Sequence, residues 1–298
     1  SEPTFNPNAF RDSVTKARRN RAIQDLYEPG STFKVVTASA AIEEQVIDRD
    51  EIFDVSAGAI RVGRDWIRDF SVHGQLSFVD VLVVSSNVGA IQIGLRLGPE
   101  RLSRYVRRFG FGEALSPDFP SESAGIVSNP TSLTDRHVAS LSMGYNVAVT
   151  PLQMAAAVAA IANGGELIAP RVVRAIHQNG QRAESPMRII RRVITPDTAA
   201  ELTAIMEAIS ERGTGRSAQV TGYTVAGKTG TAEMVIDGQY SKDGAKRTYF
   251  VGYSPADNPS DPAWPSTARE TCIFNQGGSQ NQESSSYRNS WPLPGTSP

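Results

Sequence analysis

The sequence predicts a fold of the α/β class in its segregated, α+β form: a helical part joined to an antiparallel sheet. Three observations lead there. Apolar residues recur at helical spacing in most of the stretch from Ser31 to Ile209. After Tyr223 the spacing shortens to that of strands. The longest run of small apolar residues, Met154 to Ala162, is far below the roughly 18–20 residues of a membrane span and suits a buried helix.

Residues 1–30 are polar and broken by Pro3, Pro7 and Pro29. Glu28-Pro29-Gly30 signals a turn, with Ser31 as N-cap of a helix whose apolar positions Phe33, Val36, Ala40 and Ile42 run to about Glu44. Short strands and turns follow to Gly74. Val79 to Leu97 reads as helix, interrupted at Ser85-Ser86-Asn87, and Pro99 to Phe109 as another closed by Gly110. Residues 112–134 form a long surface connection. Pro151 to Asn163 is a helix with Pro in its first turn and Gly164-Gly165 at its end. Pro196 to Ile209 is a further helix with Thr195 as N-cap. Tyr223–Val235 and Arg247–Tyr253 are strands joined through Asp237-Gly238 and a polar loop. Two domains of unequal kind result: residues 1–256, and a tail over 257–298 whose Pro, Ser, Asn, Gln and Gly content predicts disorder.

The chain has 298 residues, 40% hydrophobic and 20% charged, with net charge −1. That is enough to bury a sizeable core, and the balance gives no reason to expect nucleic acid as a partner. The basic run Lys16–Arg21 reads as a solvated segment. Cys272 is the one cysteine, and His73, His137 and His177 have no ligand spacing, so metal chemistry is not expected.

Three short motifs carry chemistry. Ser31-Thr32-Phe33-Lys34 opens a helix, and one helical turn brings residue 34 beside residue 31, where a neutral Lys amine can take the Ser proton. Alone it is weak, since Ser13-x-x-Lys16 also matches and such a match is usually an N-cap and a surface lysine. Ser85-x-Asn87 places a hydroxyl able to pass a proton and an amide able to hold Lys34 and a substrate carbonyl; Ser279-x-Asn281 also matches but lies in the tail. Lys228-Thr229-Gly230-Thr231 follows Ala226-Gly227 on a strand and is the most specific. Lys228 and Thr229 suit a carboxylate, and Gly230 lets a substrate backbone approach. In this order and context the three match the motif set of penicillin-binding proteins and serine β-lactamases.

The chain resembles a class B penicillin-binding protein, nearest to the division-specific (septal) peptidoglycan D,D-transpeptidase. The likeness runs over about residues 5–258. It rests on Arg19-Asn20-Arg21 through Tyr27-Glu28-Pro29-Gly30-Ser31-Thr32-Phe33-Lys34, on Ser85-Ser86-Asn87-Val88-Gly89, and on Gly144-Tyr145 through Val149-Thr150-Pro151-Leu152-Gln153, with Asn146 where Gly is common. Ala226 to Ala232 and Tyr249 to Ala256 complete it. The resemblance implies the penicillin-binding transpeptidase fold and no cofactor. It implies Ser31 as nucleophile on the D-Ala-D-Ala carbonyl of a stem peptide, Lys34 as base, Ser85 as proton relay and Asn87 as orienting amide. Lys228, Thr229, Gly230, Thr231 and Tyr145 would bind substrate, with the backbone N–H groups of Ser31 and Thr231 holding the oxyanion. Stem peptides are the implied substrates and β-lactams the implied inhibitors. The implied setting is a membrane-anchored parent, associated with division proteins, on the periplasmic face of the bacterial inner membrane.

The family's sheet has five strands. Two precede the segment corresponding to Asn6-Pro7-Asn8, and the fifth should follow Pro259, where the sequence is polar. The expectation is therefore a catalytic-domain fragment with only two sheet strands and an aberrant tail, which leaves open that the chain is inactive. A class A β-lactamase is disfavoured by the long stretch from Ser85 to Lys228 and by the lack of a Glu-x-x-Leu-Asn-type segment. A β-lactam-sensing domain that is acylated without cross-linking is the alternative from another functional class.

Overall fold

In this computed structural model, residues 6–12, 15–233, 235–236, 239–240, 246–257 and 272–278 are described. The helices are α1 (Thr15–Arg18), α2 (Arg21–Gln24), α3 (Lys34–Glu43), α4 (Phe78–Val83), α5 (Asn87–Arg108), α6 (Asp135–Ser142), α7 (Pro151–Ala162) and α8 (Pro196–Arg212). Small antiparallel pairs join β1 (Ile52–Asp54) to β4 (Gln75–Ser77), β2 (Ala59–Val62) to β3 (Asp65–Arg68) and β5 (Ile126–Val127) to β6 (Val147–Ala148). Three further pairs join β7 (Glu166–Ile168) to β10 (Ile189–Arg192), β8 (Ala175–Gln178) to β9 (Gln181–Glu184) and β12 (Val235–Ile236) to β13 (Gln239–Tyr240). The largest sheet has the order β11 (Ala226–Glu233), β14 (Lys246–Tyr253), β15 (Cys272–Gly278).

α3 is the centre of the molecule. Every residue from Lys34 to Ala41 is buried, and a helix that is apolar all round belongs inside. Its small residues Ala38, Ser39, Ala40 and Ala41 let α5 and α8 pack close. α8 also lies along β11, and α7 packs against β14. Leu202, Ile205, Met206 and Ile209 of α8 and Met154, Ala157, Val158 and Ile161 of α7 supply apolar cover. Helix starts follow the sequence. Thr150 and Gln153 form a reciprocal capping box on α7, and the Thr195 hydroxyl accepts from Thr198 N. α5 is broken at Gly98, whose φ of 74° no helix tolerates, so the two expected helices either side of it meet end to end. Among the described residues no helix is long and apolar enough to cross a membrane.

Two expectations are corrected. Ser31 does not cap α3. The chain turns at Gly30 (φ 53°), and Gly30–Phe33 is a 3₁₀ turn running into Lys34, so Ser31 lies inside that turn. The sheet has a third strand, because Cys272–Gly278 pairs antiparallel with β14 from Lys246↔Gly278 to Gly252↔Cys272. The tail reading missed that Ile273 and Phe274 are strand formers and that the outer edge of β14 offers unpaired backbone groups. The expected disorder of the remaining tail falls outside the described residues.

Candidate active site

The turn that carries Ser31 is held by backbone packed on backbone. Gly30 N donates to Gly144 O at 3.1 Å. Gly144 has φ 83°, and a Cβ there would stand 2.1 Å from Gly30 O. Only glycine fits, and the segment beginning at Gly144 therefore presses directly on the turn that carries Ser31. Ser31 is half-buried, and its hydroxyl makes no hydrogen bond among the described residues.

The second motif sits in the break between α4 and α5. Ser85 is a non-glycine residue with φ 62°, a left-handed conformation that an L-residue adopts only when held there. Ser86 then caps α5, its hydroxyl accepting from Gly89 N at 3.0 Å. The Asp69 carboxylate accepts from the Ser86 hydroxyl at 2.7 Å, from Val88 N at 3.0 Å and from Asn87 N. Arg68 O accepts from Asn87 Nδ2 at 3.0 Å, which leaves Asn87 Oδ1 to face Lys34.

The third motif lies on β11, an edge strand of its sheet. Lys228 is fully buried, while Thr229 is half-buried and Thr231 exposed. A Cβ on Gly230 would lie 3.0 Å from both Pro29 O and Thr32 N, so β11 runs hard against the Gly30–Phe33 turn.

The three segments meet at one hydroxyl. Lys34 Nζ donates to Ser85 O at 2.7 Å and Asn87 Oδ1 at 2.8 Å, and lies 3.3 Å from Ser85 Oγ. Lys228 Nζ donates to Ser85 Oγ at 2.8 Å and to Thr229 O at 2.9 Å. Burial pushes the Lys34 amine down to about 7 against a pull upward from Asp69. Burial also pushes Lys228 well below the ordinary lysine range, and the positive Lys34 adds to this. Desolvation is the common cause, since a buried ammonium loses its hydration. Lys34 is thus poised to exchange a proton near neutrality, and the Ser85 hydroxyl, accepting from Lys228, has its own proton free to give toward Lys34.

The segments that carry Ser31, Lys34, Ser85, Asn87, Lys228, Thr229, Gly230 and Thr231 therefore meet in one place. Lys34 engages Ser85 and Asn87 rather than Ser31 in this arrangement. Tyr145 is half-buried against Val62, Ile91, Ala139 and Met143, directly after Gly144. Sequence reasoning missed two neighbours. Asp69 follows β3, with no spacing rule to flag it. Thr214 follows α8, and its hydroxyl shares a 2.6 Å hydrogen bond with that of Thr229. Among the described residues no three His, Cys, Asp or Glu side chains cluster as metal ligands would.

Comparison with known proteins places this geometry. The family described as penicillin binding protein transpeptidase domain matches residues 1–261. Stage V sporulation protein D of Bacillus subtilis is 35% identical over 267 residues, covering 87% of this chain and 41% of that protein. Peptidoglycan D,D-transpeptidase FtsI of Buchnera aphidicola is 31% identical over 261 residues, covering 87% of this chain and 44% of that protein. The crystal structure of penicillin binding protein 3 from Mycobacterium tuberculosis complexed with aztreonam superposes with a TM-score of 0.74 at 36% identity, covering 80% of this chain and 56% of that one. The chain spans about two-fifths of the length of the curated relatives it matches. With the fold, the motif order and the family match in agreement, the chain belongs to the penicillin-binding protein transpeptidase domain family.

Proposed function

We propose that this chain carries the catalytic part of a peptidoglycan D,D-transpeptidase that works through a Ser31 acyl-enzyme. The observation that carries the reading is the convergence of Lys34 and Lys228 on the Ser85 hydroxyl. Ser31 Oγ attacks the carbonyl carbon between the two terminal D-alanines as its proton passes to neutral Lys34. Charge developing on the carbonyl oxygen is met by the N–H groups of Ser31 and Thr231; one such donor is typically worth about 10²–10³ in rate. The C–N bond then breaks, the leaving D-Ala nitrogen taking the Ser85 proton while Ser85 is resupplied from Lys34. An amine of a neighbouring stem peptide attacks the ester, restores the Ser31 hydroxyl and makes the cross-link.

Lys228 and Thr229 receive the terminal carboxylate. That anion favours the charged form of Lys228, and a charged Lys228 keeps Lys34 neutral, so substrate arrival prepares the base. β-Lactams acylate the same serine in this reading; relatives described as complexed with aztreonam and ampicillin support it. The reading places this work at the division septum, on the outer face of the inner membrane and beside division proteins, as the resemblance of the motifs implies; a relative named peptidoglycan D,D-transpeptidase FtsI supports the transpeptidase part.

A fluorescent penicillin tests the reading. Ser31 should be labelled stably and Ser31→Ala should not; equal labelling of both refutes the nucleophile. Exchange of a labelled D-amino acid onto a stem peptide separates a transpeptidase from a sensing domain, and rapid penicillin turnover points to a β-lactamase.

A further inference from the structure

We propose that Asp69 is a positioning residue of this site: its carboxylate fixes the Ser85-Ser86-Asn87 turn so that the Ser85 hydroxyl falls between Lys34 and Lys228, and it brings a negative charge to a site built around two lysines. The proposal builds on the acyl-enzyme reading above.

The geometry goes beyond that of a helix cap. Ser86 already caps α5 by accepting from Gly89 N. Asp69 takes what remains: one carboxylate oxygen accepts from Asn87 N and Val88 N, and the other from the Ser86 hydroxyl. With Arg68 O holding Asn87 Nδ2, residues 68 and 69 fasten both the backbone and the side chain of the motif. Asp69 is fixed in turn, its N–H donating to Gly58 O at 3.0 Å.

Two features give this anchoring a purpose. Ser85 is held with φ 62°, a conformation an L-residue disfavours, and neighbours must impose it. That conformation lets Ser85 offer its carbonyl to Lys34 while its hydroxyl meets Lys228. The second feature is charge. Facing Lys34 among the described residues are Lys228 from β11, Asp69 from the loop after β3, and the neutral Ser85 and Asn87 from the α4–α5 junction. Asp69 is the anion of that set. It also meets the positive N-terminus of α5, where a carboxylate is favoured.

The charge and the hydrogen bonds can be separated by substitution. Asp69→Asn keeps an oxygen for the two amides, and its NH₂ can donate to Ser86, but the charge is gone. Asp69→Ala removes both. Two measurements are made on the full chain: the pH dependence of acylation by a fluorescent penicillin, and the ¹⁵N NMR titration midpoint of the Lys34 amine, which needs no activity.

For Asp69→Asn, the Lys34 midpoint and the acid limb of acylation should both move about one pH unit lower, because an ammonium that loses an opposite charge gives up its proton more easily. For Asp69→Ala, acylation should fall by about 10²-fold across the whole pH range, the scale of a misplaced catalytic group. An unshifted Lys34 midpoint in Asp69→Asn, or wild-type acylation in Asp69→Ala, overturns the proposal. Absence of label on the wild type would sink the acyl-enzyme reading, while the Lys34 midpoint still decides the role of Asp69.

Discussion

Lys34 Nζ and Lys228 Nζ converge on the Ser85 hydroxyl, at 3.3 and 2.8 Å. Two buried amines this close to one oxygen cannot both carry full charge comfortably. With Lys34 brought down to about 7, acylation of Ser31 should fall as pH drops below neutrality, since only the neutral amine accepts the serine proton. Stopped-flow acylation from pH 5 to 9 checks this, and a flat profile would remove Lys34 from the role of base. Lys34→Arg, which stays charged, should lose about 10²–10⁴ in acylation rate.

The same burial couples stability to pH. Folded Lys34 gives up its proton near 7, whereas an unfolded lysine holds it to about 10.5. Between those values the unfolded state binds more protons, so stability rises with pH. Lys228 acts in the same direction. The window closes near pH 10, where Tyr27, kept protonated mainly by burial and next by Tyr249, works the other way. Thermal melts from pH 7 to 9 should show a rising Tm, to which Lys34 contributes about 1 kcal/mol per pH unit. Lys34→Met should flatten that rise.

Gly144 should be intolerant of any side chain. A Cβ there meets Gly30 O at 2.1 Å, and φ 83° adds strain of its own. Gly144→Ala should cost more than about 2 kcal/mol in chemical denaturation and reduce acylation further, because the atoms displaced are those of the nucleophile turn.

Glu43 is a structural carboxylate that can be tested away from the cleft. It accepts from Thr195 N at 2.9 Å and from the Thr195 hydroxyl at 2.9 Å, ahead of α8. Partial burial pushes it upward, but hydrogen bonds from Thr198 and Thr195 outweigh this and hold it below the usual carboxylate range. A depressed carboxylate stabilises above its unfolded value and ceases to as pH falls through the folded one. Glu43→Ala should therefore cost about 1 kcal/mol at pH 7, as loss of a cap does, and progressively less in acid. Denaturant midpoints at pH 7 and pH 3 make the comparison.

The three motifs that the fold brings together were legible because their spacing is itself physical. Ser31 and Lys34 are one helical turn apart, and Lys228 and Gly230 share one strand. The partners that hold them were not. Asp69 and Thr214 reach the motifs across turns whose meeting depends on the tertiary fold, and an Asp or Thr in a loop is indistinguishable from a solvated one. β15 was hidden because its pairing is set by the edge of β14 rather than by its own alternation. The β8–β9 hairpin did leave a local trace. Asn179-Gly180 have φ 53° and 75°, the left-handed pair such a turn requires, between segments otherwise too polar to announce strands.

The close packing of Gly30, Gly144 and Gly230 has a consequence for selection. On the acyl-enzyme reading proposed above, a population under antibiotic pressure cannot reshape this site at its floor, because no side chain fits there. Variants able to refuse a drug yet keep the natural substrate must arise at the rim. Asn146, Thr231 and Phe70, which follows Asp69 in the chain, are exposed to solvent. Adaptive change is thus channelled outward by three missing methyl groups.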